Sequence, residues 1–162
     1  MDSNNKKGFT LVEILIVVAI IGLLASIVLV GMAGFRQRGR DTRRIADLRQ
    51  TQHALELYFN KCGYYPGGAA SGVCNTNNPT SWDELRKTLA DAQIGISVMA
   101  NDPLPGVNYG YSVSSNRQSY ILGATLENAD NQALNQDYDD PLTGSGTSGF
   151  TTCSDPAYCL SF

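Results

Sequence analysis

Residues 6–35 read KKGFTLVEILIVVAIIGLLASIVLVGMAGF, and the prediction of the N-terminal architecture rests on this segment. Lys6, Lys7 and Gly8 come first, and residues 9–13 follow them. The next 22 residues, Ile14–Phe35, include no charged side chain. A helix of that length extends about 33 Å, which is enough to cross the roughly 30 Å hydrocarbon core of a bilayer. We therefore predict a membrane-spanning helix over residues 14–35.

The position of the basic and small residues separates this run from an ordinary secretory signal. A secretory signal has an apolar region of about 7 to 15 residues, and a small-residue cleavage site follows that region. Here the basic-then-small junction, Lys6-Lys7-Gly8, lies before the apolar run. A peptidase that cut at this junction would leave the helix attached to the product.

The order of these parts resembles the class III prepilin signal of the type IV pilin and type II secretion pseudopilin family, over residues 6 to about 66. The resemblance implies a leader peptide of residues 1–8, which prepilin peptidase would remove by cutting between Gly8 and Phe9. It also implies N-methylation of Phe9 and a role in assembly for Glu13, the acidic residue of the motif.

Glu13 is the residue that a plain membrane anchor does not explain, because a carboxylate in a membrane helix costs free energy unless it is paired. One helical turn separates Glu13 from Phe9, whose freed α-amine would be largely cationic near neutral pH. In the family the partner is usually the amine of a neighbouring subunit, so we expect the pair to fix the register of a subunit in a filament. The alternative is a plain N-terminal anchor with an incidental Gly-Phe junction.

The chain stays in helical register beyond the apolar run. One face of this second part carries Ile45, Leu48, Gln52, Leu55 and Phe59. We predict one helix over residues 9–60, about 78 Å long, and a globular head over residues 61–162.

The head shows two local patterns. Ser81 and Glu84 form a capping box that opens a short helix to about Ala92, with Trp82 as a core residue. Residues 107–113 and 119–125 alternate apolar and polar side chains around the turn residues Ser114-Ser115-Asn116-Arg117, which predicts an antiparallel hairpin. The expected fold class is α+β, a pilin fold in which a long N-terminal helix packs on a small antiparallel sheet.

The four cysteines, Cys62, Cys74, Cys153 and Cys159, all follow the apolar run, and an even number in a small exported head predicts disulfides. Three connectivities are open from sequence. We favour Cys62 with Cys74 and Cys153 with Cys159, because both pairs close short loops rich in Gly, Asn, Ser and Pro. Zinc is disfavoured, because the spacings are not those of zinc ligands and the single histidine, His53, lies in the long helix.

Charge is divided unevenly along the chain. Residues 36–49 hold six arginines and two aspartates, for +4, whereas the residues from Gln50 onward hold four basic and eleven acidic side chains, for −7. The arginines could form a solvated face, contact lipid headgroups or, less in keeping with the sequence, contact DNA. One hypothesis pairs acidic residues of one copy with arginines of the next, namely Asp137, Asp139 and Asp140 with Arg40, Arg43 and Arg44.

The same acidic segment raises the question of a metal. Secretion pseudopilins hold calcium in an acidic C-terminal loop, so Asn135, Asp137, Asp139 and Asp140 are weak calcium candidates by resemblance. The oxygen ligands are of the right kind, but an EF-hand pattern is absent and no glycine interrupts the segment. A solvated acidic loop is the alternative, and no other cofactor is expected.

The sequence lacks the residue patterns of a catalytic site, so we do not expect an enzyme. We predict a structural pilin of a type IV pilus filament that polymerises with itself and with minor pilins. Its other partners would be prepilin peptidase, the inner-membrane assembly platform and the membrane, with no direct role for DNA. The precursor would sit in the cytoplasmic membrane with the head outside the cytoplasm, before it enters an extracellular pilus. The alternatives are a major pseudopilin of a type II secretion or DNA-uptake system, in a periplasmic pseudopilus, and a membrane-anchored binding module that never polymerises.

Overall fold

A computed structural model describes residues 8–67, 74, 79–139, 145–146 and 152–162, without the side chains of residues 28–33 and 145–146. The predicted leader therefore lies outside the described residues, except for Gly8. The chain forms two compact units, Met1–Arg36 and Gln37–Phe162. Its elements confirm the predicted α+β class, with a long N-terminal helix followed by a small antiparallel sheet.

Helix α1 runs from Leu11 to Cys62, two residues later at each end than the predicted 9–60. It ends where Gly63 adopts a left-handed conformation with φ of 77°. The Gly63 N–H donates to the Phe59 carbonyl at 2.7 Å, which is the bond that closes a helix with a left-handed cap. Glycine suits this position because it has no Cβ to clash in that conformation.

In the first unit, the apolar side chains of α1 between Leu11 and Ile27 are exposed on every face of the helix. Among the described residues, no helix is both long enough and apolar enough to span a bilayer. A membrane-spanning role for residues 14–35 therefore remains a prediction.

The core of the second unit lies between α1, α2 and the sheet. Helix α2 spans Trp82–Asp91, and the Ser81 side chain accepts a hydrogen bond from the Glu84 N–H as the predicted capping box requires. Trp82 is buried, as expected. Three groups of buried residues meet here, namely Leu48, Ala54, Leu55 and Tyr58 of α1, Trp82, Leu85 and Leu89 of α2, and Tyr111, Val113, Tyr120, Leu122 and Tyr158 of the sheet.

The sheet has the strand order β3-β1-β2-β4, where β1 is Gly110–Val113, β2 is Tyr120–Thr125, β3 is Ser145–Gly146 and β4 is Ala157–Ser161. The predicted hairpin is confirmed as β1 and β2, which pair antiparallel. The first strand is shorter than predicted because Leu104 and Val107 form a turn, with Gly106 at φ of 79°. Strands β3 and β4 were missed, and β4 begins inside the loop that we expected the Cys153–Cys159 disulfide to close and ends two residues beyond it.

Tyrosine hydroxyls join the sheet and its flanking segments to polar residues of α1. The Tyr109 hydroxyl donates to Asp47 Oδ2 at 2.8 Å, and the hydroxyls of Tyr65 and Tyr120 both donate to Glu56 Oε1, at 3.0 and 3.1 Å. The pKa of Tyr109 and that of Tyr120 lie well above the usual value, mainly because burial disfavours the phenolate. These contacts give the partly buried carboxylates of α1 the hydrogen-bond partners that burial requires.

Candidate processing and assembly site

The Gly8–Phe9 junction lies immediately before α1. Gly8, Phe9 and Thr10 are outside regular secondary structure and exposed, with Phe9 at 84% of its maximum. A Cβ added at Gly8 would meet no atom within 4 Å. Gly8 and Phe9, the two residues of this peptide bond, are therefore open to solvent. The fold does not itself require glycine at position 8.

Thr10 and Glu13 cap α1 reciprocally. Glu13 Oε2 accepts from the Thr10 backbone N–H at 2.8 Å and from the Thr10 hydroxyl at 2.7 Å. In return, the Glu13 N–H donates to Thr10 Oγ1 at 3.3 Å. This is a capping box, with threonine at the cap and glutamate three residues later. Sequence reasoning missed it, although the letters T-L-V-E carry its signature.

The capping box gives Glu13 a role within its own helix, because its carboxylate satisfies N–H and O–H donors that the helix start would otherwise leave free. An interaction with a neighbouring amine would use the same carboxylate. The assembly role of Glu13 is therefore a separate prediction, which must be distinguished from a capping role.

A cluster of ionised side chains in the second unit contains three of the residues from the arginine-rich segment. We call it the Arg44 cluster, and its members are Arg40, Asp41, Arg44, Asp102 and Glu127. Arg44 donates to Asp102 through Nε at 2.7 Å and Nη2 at 3.1 Å, and through Nη1 to Asp41 and Glu127, both at 2.8 Å. Arg40 donates through Nε to Glu127 at 2.6 Å.

The carboxylates of the Arg44 cluster also bind the backbone. Asp41 accepts from the N–H groups of Glu127 and Asn128 at 2.9 and 3.0 Å, and Asp102 accepts from the Leu104 N–H at 2.8 Å. The hydrogen bond from Arg40, followed by that from Arg44, lowers the pKa of Glu127 from 4.5 to about 2 against the opposing effect of burial. The hydrogen bonds that Arg44 donates to the Asp102 carboxylate contribute most to the raised pKa of Arg44.

This geometry corrects the proposed pairing between copies. Arg44 is buried and Arg40 is half-buried, and both already have carboxylate partners in the same chain. Of the three arginines proposed to face a neighbour, Arg43 alone is well exposed, and its Nε lies 3.6 Å from Asp47. Arg40 and Arg44 therefore hold this subunit together and are not available as docking residues.

Three aspartates gather near β4. Carboxylate oxygens of Asp137, Asp139 and Asp155 all lie within 4.8 Å of one another. Asp137 and Asp139 were predicted, whereas Asp155 was missed. Asn135 stays a prediction, and Asp140 lies outside the described residues. Asp155 could not be recognised from spacing, because it lies sixteen positions after Asp139.

Asp137 provides a test of whether these residues fit a cation. Its Oδ2 accepts from the Cys159 N–H at 2.8 Å, whereas its buried Oδ1 has no hydrogen-bond partner. Burial is the main cause that raises its pKa, and the nearby charges of Asp139 and Asp155 add to it. A hard divalent cation prefers oxygen ligands of this type and would neutralise the repulsion, so the residues fit calcium.

The cysteines form two disulfides, Cys62–Cys74 and Cys153–Cys159, which are the pairings favoured from the sequence. Both have ordinary Cα–Cα distances of 5.8 Å. The second bond lies beside Ile121 and the ring of Tyr138, on the opposite face of the sheet from the main core. His53 is exposed on α1.

Comparison with known proteins finds two kinds of relative. Residues 3–29 match the prokaryotic N-terminal methylation motif. Type II secretion system core protein G of Aeromonas hydrophila is 29% identical over 86 residues, which cover 53% of this chain and 60% of that protein. The core protein G of Escherichia coli K12 is 33% identical over 64 residues, covering 40% of this chain and 44% of that protein. A fimbrial protein of Neisseria meningitidis serogroup B is 28% identical over 102 residues, with 60% of each chain covered.

The chain thus spans about half the length of the curated relatives it matches. No solved structure matches it significantly. The predicted resemblance to pilins and pseudopilins is confirmed, because the methylation motif covers the Gly8–Phe9 junction and Glu13 and because the relatives include both a secretion pseudopilin and a fimbrial protein.

Proposed function

We propose that this chain is a structural subunit of a type IV pilus filament, assembled through its N-terminal helix, with a pseudopilus as the alternative filament. The observation that carries the proposal is the exposed apolar surface of α1. Side chains from Leu11 to Ile27 are exposed all around the helix, and a surface of this kind must be covered by lipid or by protein. Before assembly the bilayer would cover it, and in the filament neighbouring copies would do so.

Burial of these side chains against one another would stabilise the filament, because transfer of apolar surface out of water is favourable. The charged and polar residues of the second unit would then remain outside the filament core. Identical subunits that pack head to tail without closing a ring form a helical polymer. Minor pilins and the inner-membrane assembly platform would be the further partners.

The proposed maturation begins at Gly8. Prepilin peptidase would cut between Gly8 and Phe9, and Phe9 would then be N-methylated. The exposed, non-helical backbone of Gly8 and Phe9 supports this step, because a peptidase needs an accessible extended segment. Cutting there would leave Thr10 and Glu13, and with them the helix cap, on the mature chain.

The test is the intact mass of the non-reduced chain in two fractions, filaments sheared from cells and the membranes that remain. Methylated chain starting at Phe9, with both disulfides and abundant in the sheared fraction, is the expected result. The same product confined to membranes would favour the pseudopilus. Chain that keeps residues 1–8 in both fractions would refute the proposal and favour a membrane-anchored binding module.

A matched variant sharpens the test. Gly8→Leu places a large side chain at the proposed cleavage site, while the open space around Gly8 predicts no effect on the fold. We expect this variant to keep residues 1–8 and to be absent from sheared filaments. Normal cleavage of Gly8→Leu at Phe9 would contradict the assignment of the processing site.

We also propose a calcium site at Asp137, Asp139 and Asp155. The buried and unpartnered Oδ1 of Asp137 beside two further carboxylates is the observation that favours it. These residues would supply negatively charged oxygen ligands. When bound, the cation would neutralise them and hold the Asp137 segment against β4, where Asp137 already accepts from the Cys159 N–H.

A further inference from the structure

Cys159 of β4 lies at the junction of the two chain segments that supply the proposed calcium ligands. Its backbone N–H donates to Asp137 Oδ2 at 2.8 Å, and its carbonyl accepts from the Tyr138 N–H at 3.2 Å. Its sulfur is bonded to Cys153, which lies two residues before Asp155. Cys159 therefore connects the segment of Asp137 with the loop that carries Asp155.

Asp155 lies inside the loop that this disulfide closes, and the two cysteines are six positions apart. On the C-terminal side of Asp155, the Leu126 N–H donates to the Pro156 carbonyl at 2.9 Å and β4 pairs with β2. On its N-terminal side, residues 152–154 make no hydrogen bond to a residue outside the loop within the described part of the chain. The disulfide is therefore what ties that side of Asp155 to the sheet.

The disulfide is also packed together with the acidic segment. Cys153 is 1% exposed and Cys159 is fully buried, and both lie against Ile121 and Tyr138. Tyr138 belongs to the acidic segment itself, residues 137–139. The covalent bond, the aromatic ring and the acidic segment thus form one packed group, and loss of the bond loosens the position of the carboxylates.

Three carboxylates within 4.8 Å of one another repel, so they separate unless something holds their segments together. The disulfide holds two of these segments before any cation arrives. The conformational freedom that the loop would lose on binding is then already lost in the oxidised chain, and such preorganisation strengthens binding. Because coupling between two equilibria is reciprocal, a bound cation must favour the disulfide to the same extent.

We propose that the Cys153–Cys159 disulfide and calcium at Asp137, Asp139 and Asp155 stabilise each other. The reduced chain binds calcium more weakly, and the calcium-bound chain resists reduction by a dithiol. This inference rests on the calcium site proposed above and adds its regulation by the redox state of the chain. It does not depend on whether the chain forms a pilus or a pseudopilus.

The first measurement is calorimetric titration of calcium into the chelator-treated full chain in zwitterionic detergent. Cys153→Ala combined with Cys159→Ala should weaken calcium binding at least about fivefold, the lower end of ordinary coupling between sites. Cys62→Ala combined with Cys74→Ala is the matched control, because that disulfide packs against the main core and not beside the acidic segment. Its calcium affinity should equal that of the wild type.

The second measurement uses the wild-type chain alone, so it serves if the Cys153→Ala, Cys159→Ala chain does not fold. The chain is equilibrated with dithiothreitol at graded ratios of reduced to oxidised reagent, with calcium or with chelator. Dithiothreitol gives two hydrogen atoms to a disulfide, which becomes two thiols, and itself closes into a cyclic disulfide. Alkylation and peptide mass spectrometry then give the reduced fraction of each bond. Calcium should shift the Cys153–Cys159 equilibrium at least about fivefold toward the disulfide and leave Cys62–Cys74 unchanged.

The outcomes separate this inference from the calcium site itself. Equal calcium affinity in the wild type and in the folded Cys153→Ala, Cys159→Ala chain would overturn the coupling and leave the calcium site intact. An equal shift of both disulfides by calcium would also overturn the coupling, because the cation would then act through overall stability. No calcium binding by the wild type would overturn the calcium site and the coupling with it.

Discussion

Arg44 and Asp102 are 58 positions apart in the sequence, yet Arg44 Nε lies 2.7 Å from Asp102 Oδ2 and both side chains are 1% exposed. The guanidinium makes a two-pronged contact with this carboxylate and turns its third nitrogen to Asp41 and Glu127. Ion pairs with this geometry are directional as well as strong. The Arg44 cluster therefore fixes the segments around Asp102 and Glu127 against α1.

Removing the central guanidinium should destabilise the second unit strongly. We expect Arg44→Met to lower the free energy of unfolding by about 3 to 5 kcal/mol, because it leaves Asp41 and Asp102 buried without their cation. The measurement is thermal and denaturant unfolding of the full chain in detergent, followed by near-ultraviolet circular dichroism of the tyrosines and Trp82. Arg43→Met is the control, because Arg43 is exposed one position away, and its effect should stay within about 0.5 kcal/mol. Equal effects of the two substitutions would contradict the role given to the cluster.

Acid should weaken the same cluster through Glu127. Its folded pKa of about 2 is below the reference value of 4.5, because Arg40 and then Arg44 hydrogen-bond to the charged form. A lowered pKa contributes stability that is complete above about pH 4.5 and is lost as the pH falls toward 2. We expect this contribution to be about 1 to 2 kcal/mol, after allowance for partial exposure.

The check is the difference in unfolding free energy between wild type and Glu127→Gln as a function of pH. The difference should be largest near pH 6 and should shrink steadily below about pH 4.5. Subtraction of the variant removes the contributions of the other carboxylates. A difference that stays constant down to the lowest pH would refute the assigned pKa.

Patterns that are local in sequence predicted their elements well. The apolar run and the stripe through Leu48 and Leu55 predicted α1, the pair Ser81 and Glu84 predicted the cap of α2, and the turn residues after Val113 predicted the hairpin. Each of these signals depends on residues that are close together in the sequence. The spacing of apolar side chains along such a segment directly predicts whether it forms a helix or a strand.

The features that were missed depend on distant contacts. Strand β4 forms because residues 157–161 pair with β2, more than thirty positions earlier. Arg44 looked like part of a solvated face, since its buried partners Asp102 and Glu127 are far along the chain. Asp155 joins Asp137 only because the disulfide loop folds back beside it. The capping box at Thr10 was different, because its local signal was present and was overlooked.

The two disulfides should contribute unequally to stability. Loop entropy predicts a loss of about 3 kcal/mol for Cys62→Ala with Cys74→Ala, and about 2 kcal/mol for Cys153→Ala with Cys159→Ala, because the first loop is longer. Thermal unfolding of the two double variants, beside the wild type, measures both losses. A larger loss for the second pair would show that the packing of that bond beside Ile121 outweighs loop entropy.

Calcium should stabilise the second unit if Asp137, Asp139 and Asp155 bind it. We expect millimolar calcium to raise the unfolding temperature of chelator-treated full chain, because a ligand that binds only the folded state stabilises it. Asp155→Asn should abolish most of the rise. Asp130→Asn, an exposed acidic residue outside the group, should leave the rise unchanged. A rise of the same size in Asp155→Asn would exclude this site, and no rise in the wild type would exclude calcium binding.

The two roles of Glu13 can be separated with two substitutions. Glu13→Gln removes the charge but keeps a side chain that can complete the capping box, whereas Thr10→Val removes the capping hydroxyl and keeps the charge. If Glu13 pairs with the amine of a neighbouring subunit, Glu13→Gln should be cleaved normally and should reduce sheared filaments at least about tenfold, which is the loss expected for one charged contact. Thr10→Val should then assemble nearly normally. The opposite pattern, with filaments lost in Thr10→Val and kept in Glu13→Gln, would mean that the helix cap is what assembly requires and that the carboxylate charge is not.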